Sequence, residues 1–336
     1  MDIEHLLQFC VQQKASDLHL SAGVPPIIRI DGELRHMQSA ALSDAQLEKM
    51  LCCVMNEAQQ AYYAEHHDID FALSISDLAR FRVNVFQQLR GPAAVFRVIP
   101  NQLPDLDKLH APTVFQSICQ EPHGLVLVTG ATGSGKSTTL AAMVDRINTS
   151  QARHILTIED PIEFVHLSKK GLINQREVVR HTHNFATALR AALREDPDVI
   201  LVGELRDPET IRAALSAAET GHLVLATLHT NTAAQSIHRL VDVFPAGEKS
   251  LVRNQVATAL RAVVAQSLLP RPGGGRIAAF EIMRCTPAIQ NLIREDKVAQ
   301  IVSAMQTGQA HGMQTLEQAR QHLAQQGLIA LSGDPA

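Results

Sequence analysis

The sequence predicts an α/β protein in two parts, a small α+β unit followed by a mostly parallel sheet covered by helices. Three observations predict it. The chain has 336 residues, enough for roughly two domains at about 150 residues each. Beyond Thr113, short apolar runs alternate with helix-period segments, the pattern of a parallel sheet. Between the two parts, Pro100, Pro104 and Pro112 punctuate a stretch of linker character. The expected division is a first domain over residues 1–99, a linker over 100–112 and a second domain over 113–336.

In the first part, Leu6–Gln13 fits a helix, and Asp17–Leu20 and Pro26–Ile30 fit strands, with Asp31-Gly32 as a hairpin turn. Ser43–Tyr63 reads as one helix, opened by a capping box of Ser43 and Gln46. Phe71–Ser74, Ala79–Gln87 and Ala93–Ile99 read as strands. In the second of these, Phe81, Val83 and Val85 alternate with Arg80, Arg82 and Asn84. In the second part, strands are expected at Gly124–Thr129, Ile155–Glu159, Val199–Gly203 and His222–Leu228. Helices are expected at Lys136–Asn148, Phe185–Arg194 and Pro208–Thr220. From Gln235 onward the chain reads as helical, with Val252, Val256, Leu260, Val264 and Leu268 forming one apolar face for core or subunit packing.

Composition narrows the function classes. Apolar residues make up 46% and charged residues 19%, too little charge for a disordered chain. A net charge of −4 argues against a general nucleic-acid coat, and zero Trp with two Tyr leaves few stacking platforms. No apolar run approaches the ~18 residues of a spanning helix, and the acidic start lacks the order of a signal peptide. Cys10, Cys52, Cys53, Cys119 and Cys285 include no C-x-x-C pair, so buried reduced thiols and a cytoplasmic compartment are expected.

The chemistry is carried by four segments. Gly130, Ala131, Thr132, Gly133, Ser134, Gly135, Lys136 and Ser137 spell G-x-x-x-x-G-K-[ST], followed by Thr138. Glycines let backbone N–H groups turn inward around phosphates, and the following helix adds its positive end. Lys136 would reach the β- and γ-phosphates, and Ser137 would ligate Mg²⁺. Asp198–Glu204 has the form of a Walker B strand, with Gly203 where an aspartate usually stands. Glu204 is therefore the candidate for the metal-bound water or the proton of the attacking water. Glu159, Asp160 and Glu163 end what reads as the neighbouring strand, and Glu163 is the better candidate for orienting water. His222 and His229 bracket an apolar strand, His229 at the carboxyl end where it can sense the γ-phosphate.

In this order the segments resemble the secretion ATPases of the type II and type IV pilus superfamily. Ala15-Ser-Asp-Leu-His-Leu20 and Gly32 resemble that family's entry segment, and the resemblance covers about residues 1–327. Within the superfamily the chain resembles the PilT-type branch of twitching-motility retraction ATPases. Leu268–Arg276 runs on without a four-cysteine insertion, and Ala288–Glu295 resembles the retraction signature A-I-R-N-L-I-R-E, with Gln290 in place of an arginine. The resemblance implies a PAS-like N-terminal domain, a RecA-like ATPase domain with C-terminal helices, ATP and Mg²⁺, and a homo-hexameric ring. It further implies an inner-membrane pilus platform protein as partner, peripheral membrane association and no nucleic acid. Arg82, Arg90 and Arg97 match the arginines that complete the family's site, with Arg82 and Arg97 the leading candidates; Arg194 and Arg206 flank the Walker B strand.

Three other readings stand beside retraction. Pilus assembly or export would leave a deletion strain without pili. A nucleic-acid translocase would show salt-sensitive DNA binding. A regulatory module would bind nucleotide without turnover.

Overall fold

The structure, a computed structural model, describes residues 2–30, 32–76, 78–99, 103 and 105–330. It divides into two compact units, Met1–Gln102 and Leu103–Ala336. Pro100, Pro104 and the hairpin residue Asp31 lie outside the described residues.

Among the described residues, the first unit is an antiparallel sheet with three helices. Its strands are β1 (Asp17–Ser21), β2 (Ile27–Ile30), β3 (Glu33–His36), β4 (Asp68–Ile75), β5 (Ala79–Gln88) and β6 (Gly91–Ile99), in the order β3-β2-β1-β6-β5-β4. Helix α1 (Ile3–Gln12) buries Ile3, Leu6, Leu7 and Cys10, which share one face at helical spacing. Strand β5 buries Ala79, Phe81, Val83 and Val85 and turns Arg80, Arg82 and Asn84 the other way, as its alternation predicts.

The single helix expected over Ser43–Tyr63 is two: α2 (Asp44–Val54) and α3 (Glu57–His66). Met55 is extended, and Asn56 accepts from the Gln59 N–H while the Gln59 side chain accepts from the Asn56 N–H. A second capping box therefore restarts the helix, because Asn offers the backbone a non-helical partner. The thiol expectation also fails in part. Cys10 and Cys119 are buried, but Cys52 and Cys53 are exposed on α2 and Cys285 is half-buried.

The second unit is built on seven strands: β7 (Gly124–Thr129), β8 (His154–Glu159), β9 (Leu172–Glu177), β10 (Val199–Val202), β11 (Leu223–Leu228), β12 (Leu260–Pro270) and β13 (Arg276–Arg284). Their order is β13-β12-β7-β11-β10-β8-β9, and every pair is parallel except β12–β13. Both faces are buried. Alternate residues such as Leu125, Leu127, Ile200 and Val202 pack with α6 (Phe185–Ala192), α7 (Pro208–Glu219), α8 (Ala233–Asp242) and α9 (Lys249–Ala259). Val126, Val128, Leu201 and Val264 pack with α4 (Val114–Cys119) and α5 (Lys136–Ser150).

The continuous helical tail expected from Gln235 is corrected. Helix α9 ends at Ala259, and Leu260 begins the hairpin β12–β13, before α10 (Pro287–Arg294), α11 (Ile301–Thr307) and α12 (Leu316–Gln325). The apolar spacing of four runs across both elements. Val252 and Val256 line one face of α9, while a bulge between Leu260 and Ala262 shifts the strand alternation, so Leu260 packs with Leu125 on one face of the sheet and Val264 with Val128 on the other. The acid-bearing strand β8 is not adjacent to β7, since β11 and β10 lie between them.

Candidate nucleotide-binding site

Strand β7 runs into Gly130, and α5 starts at Lys136. Gly130, Gly133 and Gly135 have φ of 148°, 77° and 88°, the left-handed region that glycine adopts without strain. A Cβ on Gly130 would lie 2.4 Å from the Gln266 carbonyl oxygen and 2.5 Å from Ser134 Oγ. The loop is therefore closed around backbone, as a phosphate cradle requires. Lys136 is buried, and its Nζ donates to the carbonyls of Gly130 (2.9 Å) and Ala131 (3.0 Å). Burial lowers its pKa, and the carboxylates of Glu204 and Glu163 oppose that shift. Those two acids thus act on the lysine across the fold. Ser134 Oγ is buried without a hydrogen-bond partner among the described residues. An orphaned hydroxyl inside a glycine cradle fits an oxyanion ligand. Ala131, Thr132 and Gly133 are exposed at the loop's crest, and Ser137 and Thr138 are half-buried in the first turn of α5.

Glu204 follows β10. Its carboxylate meets Arg206 Nη2 at 2.8 Å and His229 Nε2 at 3.4 Å. Burial would raise its pKa, but Arg206 and then His229 outweigh burial and hold the carboxyl below its ordinary value. Gly203 approaches β8 so closely that a Cβ would lie 3.3 Å from the Ile158 carbonyl oxygen. A side chain at this position would crowd the end of β8. The segment is tied to β11: Thr227 Oγ1 donates to the Gly203 carbonyl at 2.5 Å, and the Leu205 N–H to the Thr227 carbonyl at 3.1 Å.

The acids after β8 divide. Glu159 retains some surface, but its carboxyl end is enclosed. It accepts from Thr157 Oγ1 (2.6 Å) and Gln175 Nε2 (3.1 Å). Burial pushes it up to about 7, against the pull of those neutral donors. Glu163, whose backbone also bonds Glu159, is the acid that reaches Lys136 electrostatically. His222 sits at the other end of β11, its Nδ1 3.0 Å from the Ala217 carbonyl oxygen, as part of a turn.

Arg82 and Arg97 belong to the first unit, where they stand opposite each other on β5 and β6. Arg82 Nη2 bonds Asp70 at 2.6 Å and Arg97 Nε bonds the buried Asp17 at 2.9 Å. Arg90 is exposed at the β5–β6 turn.

One positioning residue escapes the sequence reading. Gln266 on β12 is buried, donates through Nε2 to the Ser134 carbonyl (2.7 Å) and accepts from Thr139 Oγ1 (2.7 Å). It clamps the phosphate loop and α5 to the sheet. A polar residue within an apolar strand was the available signal.

The profile of the family described as "Type II/IV secretion system protein" matches residues 1–273. The chain is 57% identical over 330 residues to the "Type IV pilus retractation ATPase PilT" of Pseudomonas aeruginosa, covering 98% of this chain and 96% of that protein. It is also 57% identical over 306 residues to a "Twitching motility protein" of Neisseria gonorrhoeae, covering 91% of this chain and 82% of that protein. A crystal structure of "the Pilus Retraction Motor PilT and Bound ADP" superposes with a TM-score of 0.90 at 46% identity, covering 100% of this chain and 98% of that one. The Legionella pneumophila ATPase DotB superposes at 0.83 with 30% identity, covering 98% and 92%. The chain belongs to the type II/IV secretion system protein family.

Proposed function

We propose that this protein is an ATP-hydrolysing motor that drives pilus retraction. The observation that carries the reading is identity of 57% with a pilus retraction ATPase over 98% of this chain, joined to a complete phosphate loop whose lysine feels the Glu204 carboxylate. In this reading the first unit is PAS-like and the second RecA-like. The chain works as a homo-hexamer on the cytoplasmic side of the inner membrane, against a pilus platform protein. That no described helix is long and apolar enough to cross a membrane is compatible with peripheral attachment.

The residues take these roles. The loop Gly130–Gly135 and the first turn of α5, including Thr138, bind the phosphates. Lys136, pulled between carbonyls and acids, neutralises developing charge. Ser137 and Glu204 would hold Mg²⁺, which would supply positive charge to the phosphates. Glu204, kept ionised by Arg206 and His229, accepts the proton of the attacking water. Glu163 orients that water, and His229 links Glu204 to the end of β11. Arg82 and Arg97 leave their carboxylate partners to complete a neighbouring subunit's site.

The test is ATP turnover per subunit against protein concentration. Turnover should rise cooperatively for the native chain, and Lys136→Ala should abolish it. Normal turnover in that variant would remove the site assignment.

A further inference from the structure

The seven-stranded sheet carries a basic cavity at the end away from the phosphate loop. Strand β7 begins there at Gly124, and six residues of strand separate that end from the loop, roughly 20 Å at the usual rise. The cavity is about 280 Å³, and its polar lining comes from Ser117, Glu121, Arg261, Arg284, Thr286 and His311. These residues come from α4 and the residue after next beyond it, the start of β12, the end of β13, the cap of α10 and the turn before α12.

The donors are not exhausted within the protein. Arg284 Nη2 pairs with Glu121, but Arg284 Nη1 is buried and has no partner among the described residues. Arg261 uses Nη1 on the carbonyls of Thr258 (2.8 Å) and Leu260 (3.4 Å), and no bond is made by its Nη2 among the described residues. A third guanidinium, Arg294, adds its field: Arg261, Arg294 and Arg284 all favour the Cys285 thiolate, although burial dominates and pushes that thiol up to about 12. One carboxylate therefore faces two arginines in the cavity wall, leaving excess positive charge. A buried guanidinium nitrogen without a partner is costly in a folded chain unless a ligand meets it.

We propose that this cavity is a second oxyanion site, taking a phosphate group through Arg284 Nη1 and the free edge of Arg261. The shared chemistry is a compact dianion, either free phosphate or the head of a small phosphomonoester, since the cavity is roomy enough to admit a short stem. The site abuts Thr286, the N-cap of α10, so its occupancy touches the helix that carries Ala288–Glu295.

The experiment is a ³¹P NMR titration of the full chain, with ADP and Mg²⁺ saturating the phosphate loop throughout. Inorganic phosphate and glycerol 3-phosphate are the two probes. Saturable broadening in the millimolar range is expected, with tighter binding of the monoester if a stem is accommodated and equal binding if the free ion is the ligand. Arg261→Gln should weaken binding by at least about tenfold, and Arg284→Gln likewise. Glu121→Gln should tighten it about threefold or more, because it removes the internal competitor. Ser117 is exposed on α4, so Ser117→Glu should fold normally and abolish binding by placing a carboxylate in the cavity. No saturable binding in the native chain would overturn the proposal. So would binding that is unchanged in Ser117→Glu, which stays decisive even where an arginine variant fails to fold.

Discussion

Glu159 lies one residue and Glu204 two residues past matched positions of two hydrogen-bonded strands: Ile158 of β8 pairs with Val202 of β10. They are the same residue type at the same edge of one sheet, yet their protons are held oppositely. Glu159 is enclosed and receives only neutral donors, Thr157 Oγ1 and Gln175 Nε2, and burial carries it up to about 7. Glu204 is also partly buried, but Arg206 and His229 bring positive charge and carry it below its ordinary value. Burial sets the direction only until a cation arrives. The difference separates a structural acid from one that stays ionised and available to water.

The sharpest way to break this comparison is to neutralise each acid in turn. Glu204→Gln should lower ATP turnover by about 10²–10⁴-fold, the span of general acid–base assistance, while Glu159→Gln should stay within about threefold of the native chain. Steady-state phosphate release measures both. Equal losses would mean that Glu159 shares the chemistry and that its neutral partners do not isolate it.

The two acids should also pull stability in opposite directions with pH. The folded pKa of Glu159 is raised, so the folded chain holds a proton that the unfolded chain releases. Its contribution is greatest below the unfolded value of 4.5 and declines as pH rises through about 7. Glu159→Gln should therefore match the native chain in urea unfolding near about pH 5 but exceed it by about 2–3 kcal/mol near about pH 8. For Glu204 the folded value is depressed, so its contribution is present above the unfolded pKa and is lost as pH falls through the folded one. Glu204→Gln should accordingly lose stability at neutral pH and converge with the native chain in acid. Parallel profiles for the two variants would contradict the assigned partners.

Local chemistry made much of this region legible. The phosphate loop, Glu204 and His229 are read from short segments whose residue types state their own requirement, such as glycines at positive φ before Lys136. What escaped depends on which strands become neighbours. Nothing in residues 154–163 tells that β11 and β10 separate β8 from β7, and the apolar spacing of four that runs from α9 through Leu260 to Val264 hides both the end of the helix and the bulge that opens β12. Strand β9 was missed because its edge position leaves Leu172 exposed and Glu177 buried, reversing the usual pattern. The break at Asn56 was written in the sequence as a second capping box, but a continuous helical pattern on both sides hid it.

Gln266 tests the same point at its smallest scale, since it is the residue whose role exists only through the fold. Gln266→Ala leaves the buried Thr139 hydroxyl and the Ser134 carbonyl without their partner. Each orphaned group costs about 1–3 kcal/mol, less whatever water recovers. A loss of about 2 kcal/mol in stability and a roughly tenfold weaker affinity for ADP are expected, the latter equal to about 1.4 kcal/mol. Gln266→Glu separates the two halves of the clamp. A carboxylate still accepts from Thr139 Oγ1 but cannot donate to the Ser134 carbonyl, so it should keep α5 in place while loosening the loop. ADP affinity should then fall as far as in the alanine variant while the α5 amides keep their hydrogen-exchange protection. If Gln266→Glu instead binds ADP like the native chain, the bond to Ser134 does not hold the loop, and its geometry comes from the glycines alone.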